Sequence, residues 1–334
     1  MCVLIGGSGS TGSSLLKNLL NNHSKIFAGV ETSLFCKKKL YQDWESHKGR
    51  IFKKGVQALP NHSFLYLRGM DLLHSGFGWT ESELRSEVKD SKSFPEFCNR
   101  FFKRPLLTNN AQIWVEKTPS NAACFRYFLQ TFPVGKVIHI TRDPFDTLSS
   151  LLRRGIPEYN ALCIYLLNTA AAMSCEKDSR YHLVKYEDLV MKPESTLEKI
   201  CGFLEVDFQP DMTNMGGIEA DFTTRLKGWN YDETEPVKKG SLGAFTKLPP
   251  ELQAFIREAA QAVKISTYGR QKYQTHLSTI QEVCESLNYE YPEVSIPVRR
   301  EVLGKLRKQK LKDQWFRLRK ACPNAFLSPV KIGY

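Results

Sequence analysis

The sequence predicts an α/β fold, a P-loop-like open parallel β-sheet flanked by helices. Three observations predict it. Short apolar runs bounded by turn residues recur along the chain, each followed by residues that place an apolar stripe on one helical face, and such alternation implies βαβ units. The first run passes through a glycine-rich junction into its helix. A later run is β-branched and nearly unbroken, as suits a strand buried on both faces of a parallel sheet.

The first strand is Val3-Leu4-Ile5, and Leu15, Leu16, Leu19 and Leu20 share one face of the helix behind it. The second, Ile113-Trp114-Val115, precedes Ala122, Phe125, Phe128 and Leu129. The third is Val137-Ile138-His139-Ile140, with Leu148, Leu151 and Leu152 behind it. The fourth, His182-Leu183-Val184, precedes Leu197, Ile200 and Phe203. Residues 40–112 are rich in aromatics, namely Tyr41, Trp44, Phe64, Tyr66, Phe77, Trp79, Phe94, Phe101 and Phe102. Core is the safer reading for any one of these, but with the loop at about 205–250 they are the best source of an acceptor pocket. From about 205 to 250 the core pattern gives way to loop, as in a lid or binding segment. Residues 298–320 are mostly helix-forming and carry ten basic and two acidic side chains, with Leu311, Trp315 and Leu318 on one stripe. One domain is therefore expected over 1–295, with a substrate-side insertion at about 40–112 and a covering loop at about 205–250. A basic helical extension follows over 296–334.

With 42% hydrophobic and 25% charged residues among 334, the chain is globular rather than disordered or collagen-like. Its longest nearly apolar stretch, residues 161–173, has 13 residues, short of the roughly 20 that span a bilayer. Met1 runs straight into Cys2-Val3-Leu4-Ile5, so no secretory signal is expected. Nine scattered cysteines lack any Cys-x-x-Cys spacing. They read as free thiols in a reducing compartment, which predicts a cytoplasmic location and no bound metal. The formal charge of +12 points to an anionic partner: nucleic acid, a membrane surface or a phosphorylated small molecule. No stacking-aromatic motif accompanies the basic segment, which argues against nucleic acid.

Two motifs carry the chemistry. Gly6-Gly7-Ser8-Gly9-Ser10-Thr11-Gly12-Ser13-Ser14 joins the first strand to its helix. Unpaired backbone N–H groups at the positive end of a helix dipole make such a junction a phosphate cradle, and Thr11, Ser13 and Ser14 add hydroxyls. Gly7 and Gly12 fit the GxxxxGK[ST] template, but Ser13 stands where the lysine belongs. The second motif, Thr141-Arg142-Asp143-Pro144, ends the third strand, with Ser150 eight residues on and Arg153-Arg154 behind it. Arg142 could hold a phosphate bidentately, or pair with Asp143 or Asp146.

These motifs, in this order and separation, resemble the sulfotransferase family that uses 3′-phosphoadenosine 5′-phosphosulfate (PAPS), most closely its tyrosylprotein sulfotransferase-like and related bacterial branch. The resemblance runs over roughly residues 3–250 and implies the sulfotransferase fold. It implies that Ser10, Thr11, Gly12, Ser13 and Ser14 grip the 5′-phosphosulfate, and that Arg142, Ser150 and Arg154 hold the 3′-phosphate. Glu31, in Gly29-Val30-Glu31-Thr32-Ser33, falls on that branch's catalytic base, and Lys117, in Glu116-Lys117-Thr118-Pro119, on its lysine near the sulfuryl group. Tyr186 matches a tyrosine near the nucleotide, and Lys238 with Gly240 the basic loop that closes over it. Ser10 departs from the loop Lys or Arg of the family, and Ser33 from an Arg that contacts acidic peptides.

The expected activity is transfer of a sulfuryl group from PAPS to a hydroxyl or amine of a small molecule, glycan or peptide, without a metal. Two readings stay open beside it: a P-loop kinase-like phosphotransferase, and a nucleotide-binding protein without catalysis, for which Ser10 speaks. Further partners left open are an anionic one for the basic C-terminal segment and a second copy in a homodimer.

Overall fold

The computed structural model describes residues 1–53, 70–214, 241–292, 297–320 and 330–332. Its central sheet has five parallel strands in the order β2-β3-β1-β4-β5. They are β1 (Cys2–Gly7), β2 (Ile26–Ala28), β3 (Ile113–Lys117), β4 (Lys136–Thr141) and β5 (Tyr181–Lys185). This is the open parallel sheet that the apolar runs predict. Among the described residues of this sheet only β2 is additional, and with three residues it is too short to show a period.

β1 and β4 form because both of their faces are apolar. In β1, Cys2 and Leu4 enter the core on one side of the sheet, and Val3 and Ile5 the core on the other. In β4, Val137 faces the first core, while Ile138 and Ile140 face the second. The register sets Ile5 opposite Lys117 of β3 and Ile138 of β4. The carboxyl ends of β1, β3 and β4 therefore lie side by side, the place where open α/β sheets bind ligands.

Helix α1 (Ser13–Asn21) follows β1, and its Leu16, Leu19 and Leu20 are buried against the sheet. The apolar stretch that sequence places at 161–173 lies in the Glu158–Met173 helix, buried nearly all round at the centre of a third core. The Pro250–Ala262, Ile280–Leu287 and Arg300–Lys320 helices pack on it. Beside them lies a small antiparallel sheet of β6 (Val263–Ile265) and β7 (Val330–Ile332). Among the described residues, no helix is long and apolar enough to cross a membrane, and the eight described cysteines are free thiols.

For the aromatics of 40–112 the structure takes the core reading. Trp44, Phe77, Trp79, Phe94, Phe101 and Phe102 are all buried in the first core, with Phe35 and Trp114. Tyr41 packs against the same core and donates its hydroxyl to the Phe35 carbonyl at 2.8 Å. Large rings covering a sheet face remove far more apolar area from water than rings lining an open pocket. Phe64 and Tyr66 lie outside the described residues.

Candidate active site

The site begins at the loop between β1 and α1. Gly7 must be glycine, because a Cβ there would sit 2.1 Å from the Ile140 carbonyl oxygen of the neighbouring strand. Gly12 caps α1 with a left-handed φ of 87° and no side-chain hydrogen bond to the helix start. Ser10 is also left-handed, at φ 67°. The loop is thus a tight turn whose helix end is not capped by that residue, as an anion cradle needs. Thr11 turns inward and donates its hydroxyl to the Ser8 carbonyl at 2.8 Å. Ser13 is buried at the first helical position.

Two charged side chains close one flank. Lys117, the last residue of β3, is 0% exposed and Glu31 is 4% exposed, and the two form an ion pair. The Lys117 ammonium also donates to Ser14 Oγ at 3.0 Å. Glu31 follows β2 in an extended segment well ahead of the next helix, Lys38–Gln42, so it is not a helix-terminal charge. What fixes that segment is Glu116. Its buried carboxylate accepts from the Thr32 amide and hydroxyl, both at 2.9 Å, from the Thr118 hydroxyl at 2.8 Å and from Asn121 Nδ2 at 2.5 Å. Burial raises the Glu116 pKa, against the opposing pull of these donors. Sequence quotes Glu116 only as a neighbour of Lys117; a carboxylate inside an apolar strand was the available signal.

Two arginines close the other flank. Arg142 follows β4, is buried, and reaches the Ser10 carbonyl at 3.4 Å. Of the two carboxylates open to it, it meets Asp146, at 3.5 Å. Its guanidinium also donates to the Ser241 carbonyl and lies 4.9 Å from the Tyr186 ring centroid. Its Nε is buried without a hydrogen-bond partner. Arg154, just past the Pro144–Arg153 helix, donates to Ser10 Oγ at 3.0 Å. Burial lowers the Arg154 pKa, while the nearby Glu31 charge raises it. Ser150 is half-buried on the same helix, and its carbonyl accepts from the Arg154 amide at 3.3 Å.

Tyr186 packs over Gly12 and meets Ser241 Oγ at 2.5 Å through its hydroxyl. Asp146 accepts from the amides of Gly243 and Phe245, both at 2.8 Å, and so anchors this later segment beside Arg142. Asp146 and Ser241 are the residues that sequence reasoning missed as site members, because their partners lie about a hundred positions away. Lys238 and Gly240 lie outside the described residues. Six of the expected residues converge on the loop, Glu31, Lys117 and Ser14 on one flank and Arg142, Arg154 and Tyr186 on the other, while among the described residues no hydrogen bond between the Ser150 side chain and the loop is seen. Among the described residues no cluster of His, Cys, Asp and Glu could hold a metal ion.

Comparison with known proteins adds four findings. The model of the sulfotransferase family matches residues 3–210. A protein-tyrosine sulfotransferase of Drosophila melanogaster is 22% identical over 220 residues, with 61% of this chain and 38% of that protein covered, so the chain spans well under half of its length. The sulfotransferase domain of the Synechococcus PCC 7002 olefin synthase superposes with a TM-score of 0.53 at 16% identity, covering 87% of this chain and 95% of that one. The sulfotransferase domain from the curacin biosynthetic pathway does so with a TM-score of 0.50 at 19% identity, covering 87% and 98%. At such identities, the structural likeness shows the shared fold.

Proposed function

The chain belongs to the sulfotransferase family, and on that premise we propose that it moves a sulfuryl group from PAPS to a hydroxyl or amine of a small molecule, glycan or peptide, releasing adenosine 3′,5′-bisphosphate. A tyrosine phenol, named for the Drosophila relative, is one such hydroxyl. The carrying observation is the convergence of a buried carboxylate and a buried ammonium on the anion-cradling loop, where Lys117 touches both Glu31 and Ser14.

The residues present fit an anionic nucleotide. The glycine loop offers its helix end, and Arg142 retains a buried, unpartnered Nε–H beside it. Bound, the donor supplies an activated sulfuryl group on a phosphate leaving group. The chain's own residues supply the rest. Glu31 takes the acceptor's proton as its oxygen or nitrogen bonds to sulfur and the sulfur–oxygen bond to the phosphate breaks. Lys117 and the loop donors steady the charge that develops on the sulfuryl oxygens and the leaving oxygen. Arg142, Ser150 and Tyr186 hold the 3′-phosphate end. Arg154, seated on the Ser10 hydroxyl, brings to the loop the cation that Ser10 itself lacks. Lys238 and Gly240, which the resemblance assigns to the loop over the nucleotide, lie outside the described residues.

The test compares wild type with Glu31→Gln. Adenosine 3′,5′-bisphosphate at a hundred times its Kd should stabilise both against heat, by about 2.7 kcal/mol. Transfer from radiolabelled PAPS to a panel of hydroxyl and amine acceptors should fall by about 10²–10⁴ in the variant. Stabilisation by ATP alone would sink this reading, and unchanged turnover would remove Glu31 as the base.

A further inference from the structure

The basic charge noted in the sequence has a geometry in the Arg300–Lys320 helix. One side of this helix is committed to the body. Val302 and Leu306 are buried in the third core, Lys305 pairs with Glu158 at 2.5 Å, and Lys310 donates to the Val330 carbonyl at 2.6 Å. Gln309 accepts from the Tyr159 amide on the same side at 2.9 Å. At 100° per residue, Leu311 and Trp315 fall on the opposite side, about one turn apart. They are 65% and 60% exposed.

Large apolar side chains on the outer face of a docked helix are unusual, since helices turn polar residues to water. Here the pair is flanked by charge of one sign. Arg307, Lys308 and Lys312 are exposed beside it, and Arg317, Arg319 and Lys320 follow in sequence. Glu301 is exposed further back and Asp313 is half-buried on the body side. Residues 298–320 carry ten basic and two acidic side chains, a net +8 of the chain's +12.

We propose that this outer face, Leu311 and Trp315 with Lys308 and Lys312, docks on the surface of an anionic lipid bilayer. The charge complements the headgroups, and the apolar pair enters the boundary between headgroups and acyl chains, where an indole is at home. A polyanion such as nucleic acid would be met by the basic side chains but gives Leu311 nothing to bury against. The proposal is independent of the sulfuryl-transfer reading.

Co-sedimentation of the full chain with phosphatidylcholine vesicles, with and without phosphatidylserine, tests it. The chain should pellet only with phosphatidylserine present, and less as salt rises. Leu311→Ser with Trp315→Ser should lower the vesicle partition tenfold or more, on the order expected for two apolar side chains. Lys308→Gln and Lys312→Gln should lower it roughly 5-fold each. All four positions are exposed, and thermal melting should show the variants folded. Absence of phosphatidylserine-dependent pelleting overturns the proposal, as does pelleting that survives in the Leu311→Ser, Trp315→Ser variant. Retention on duplex DNA in preference to vesicles does so too.

Discussion

Gly12 is where the loop and the aromatic beside it become one structure. Its φ is 87°, and a Cβ there would lie 2.3 Å from Cδ2 of the Tyr186 ring, so the ring packs on the glycine itself. Gly155 shares the left-handed backbone, at φ 76°, yet a Cβ there would meet nothing within 4 Å. The two positions separate backbone strain from crowding. Gly155→Ala should cost about 1–2 kcal/mol of stability, the left-handed penalty alone, and leave affinity for adenosine 3′,5′-bisphosphate unchanged. Gly12→Ala should cost more, because Tyr186 must leave its place between Gly12 and Arg142. Affinity should then drop about tenfold, the worth of one hydrogen bond to a charged group. Urea unfolding and titration calorimetry measure both quantities, and equal affinities in the two variants would break the proposed link. The sequence marks Gly12 by its spacing from Gly7 and Tyr186 by the family resemblance, but not the contact between them that makes the glycine obligatory. That contact joins positions far apart in the chain and exists only once β1, β4 and β5 are paired.

The Pro144–Arg153 helix organises the arginine flank. Asp143 caps it by accepting from the Asp146 amide at 2.8 Å, and Asp146, Ser150 and Arg154 follow along it. The Asp-Pro start and the stripe of Leu148, Leu151 and Leu152 make this helix legible in the sequence. The task of Asp146 is not, because the Gly243 and Phe245 amides arrive from a remote segment with little pattern. Burial, with Asp146 and Glu187 nearby, raises the Asp143 pKa from 3.8 to about 6. An acid whose pKa is raised on folding makes the folded state hold its proton longer than the unfolded one. Its contribution to stability is full below about pH 4 and is lost as pH rises to about 6. Buried His139, with its pKa lowered to about 3 by desolvation, acts in the opposite direction as pH falls below 6.5. A difference measurement isolates Asp143. Asparagine also caps helices well, so Asp143→Asn should keep the helix and remove the titration. Relative to wild type, the variant should gain about 1–3 kcal/mol between pH 4 and pH 6. Denaturant unfolding across that range checks it, and a constant gap between the two proteins would show that Asp143 does not titrate there.

At the scale of the molecule, three cores divide the work. The second and third lie under α1 and around the Glu158–Met173 helix; the apolar stripes of the sequence foretell the second and, through Leu148, Leu151 and Leu152, one side of the third. For the first, composition leaves two readings open, since a run of aromatics at 40–112 suits a pocket as well as a core. The difference lies in the partner. Trp114 on β3 stacks on Phe102 with ring centroids 4.0 Å apart and planes 5° from parallel. Phe102 also meets Phe101 edge-on at 4.9 Å, and Phe77 at 5.8 Å. Only the sheet's register supplies that facing tryptophan, so no local pattern announces it. A segment bound to the sheet by such contacts should unfold with it. Phe102→Ala should therefore lower global stability by about 3–5 kcal/mol through the cavity it leaves, in a single transition. Affinity of the folded fraction for adenosine 3′,5′-bisphosphate should change less than about twofold, because the loop's contacts come from Lys117, Tyr186 and the two arginines, and a shift worth less than 0.4 kcal/mol stays within that limit. Calorimetric melting beside ligand titration distinguishes the outcomes. Two separate transitions would show that the aromatic segment folds as its own unit, and a large loss of affinity at unchanged stability would return Phe102 to the binding site.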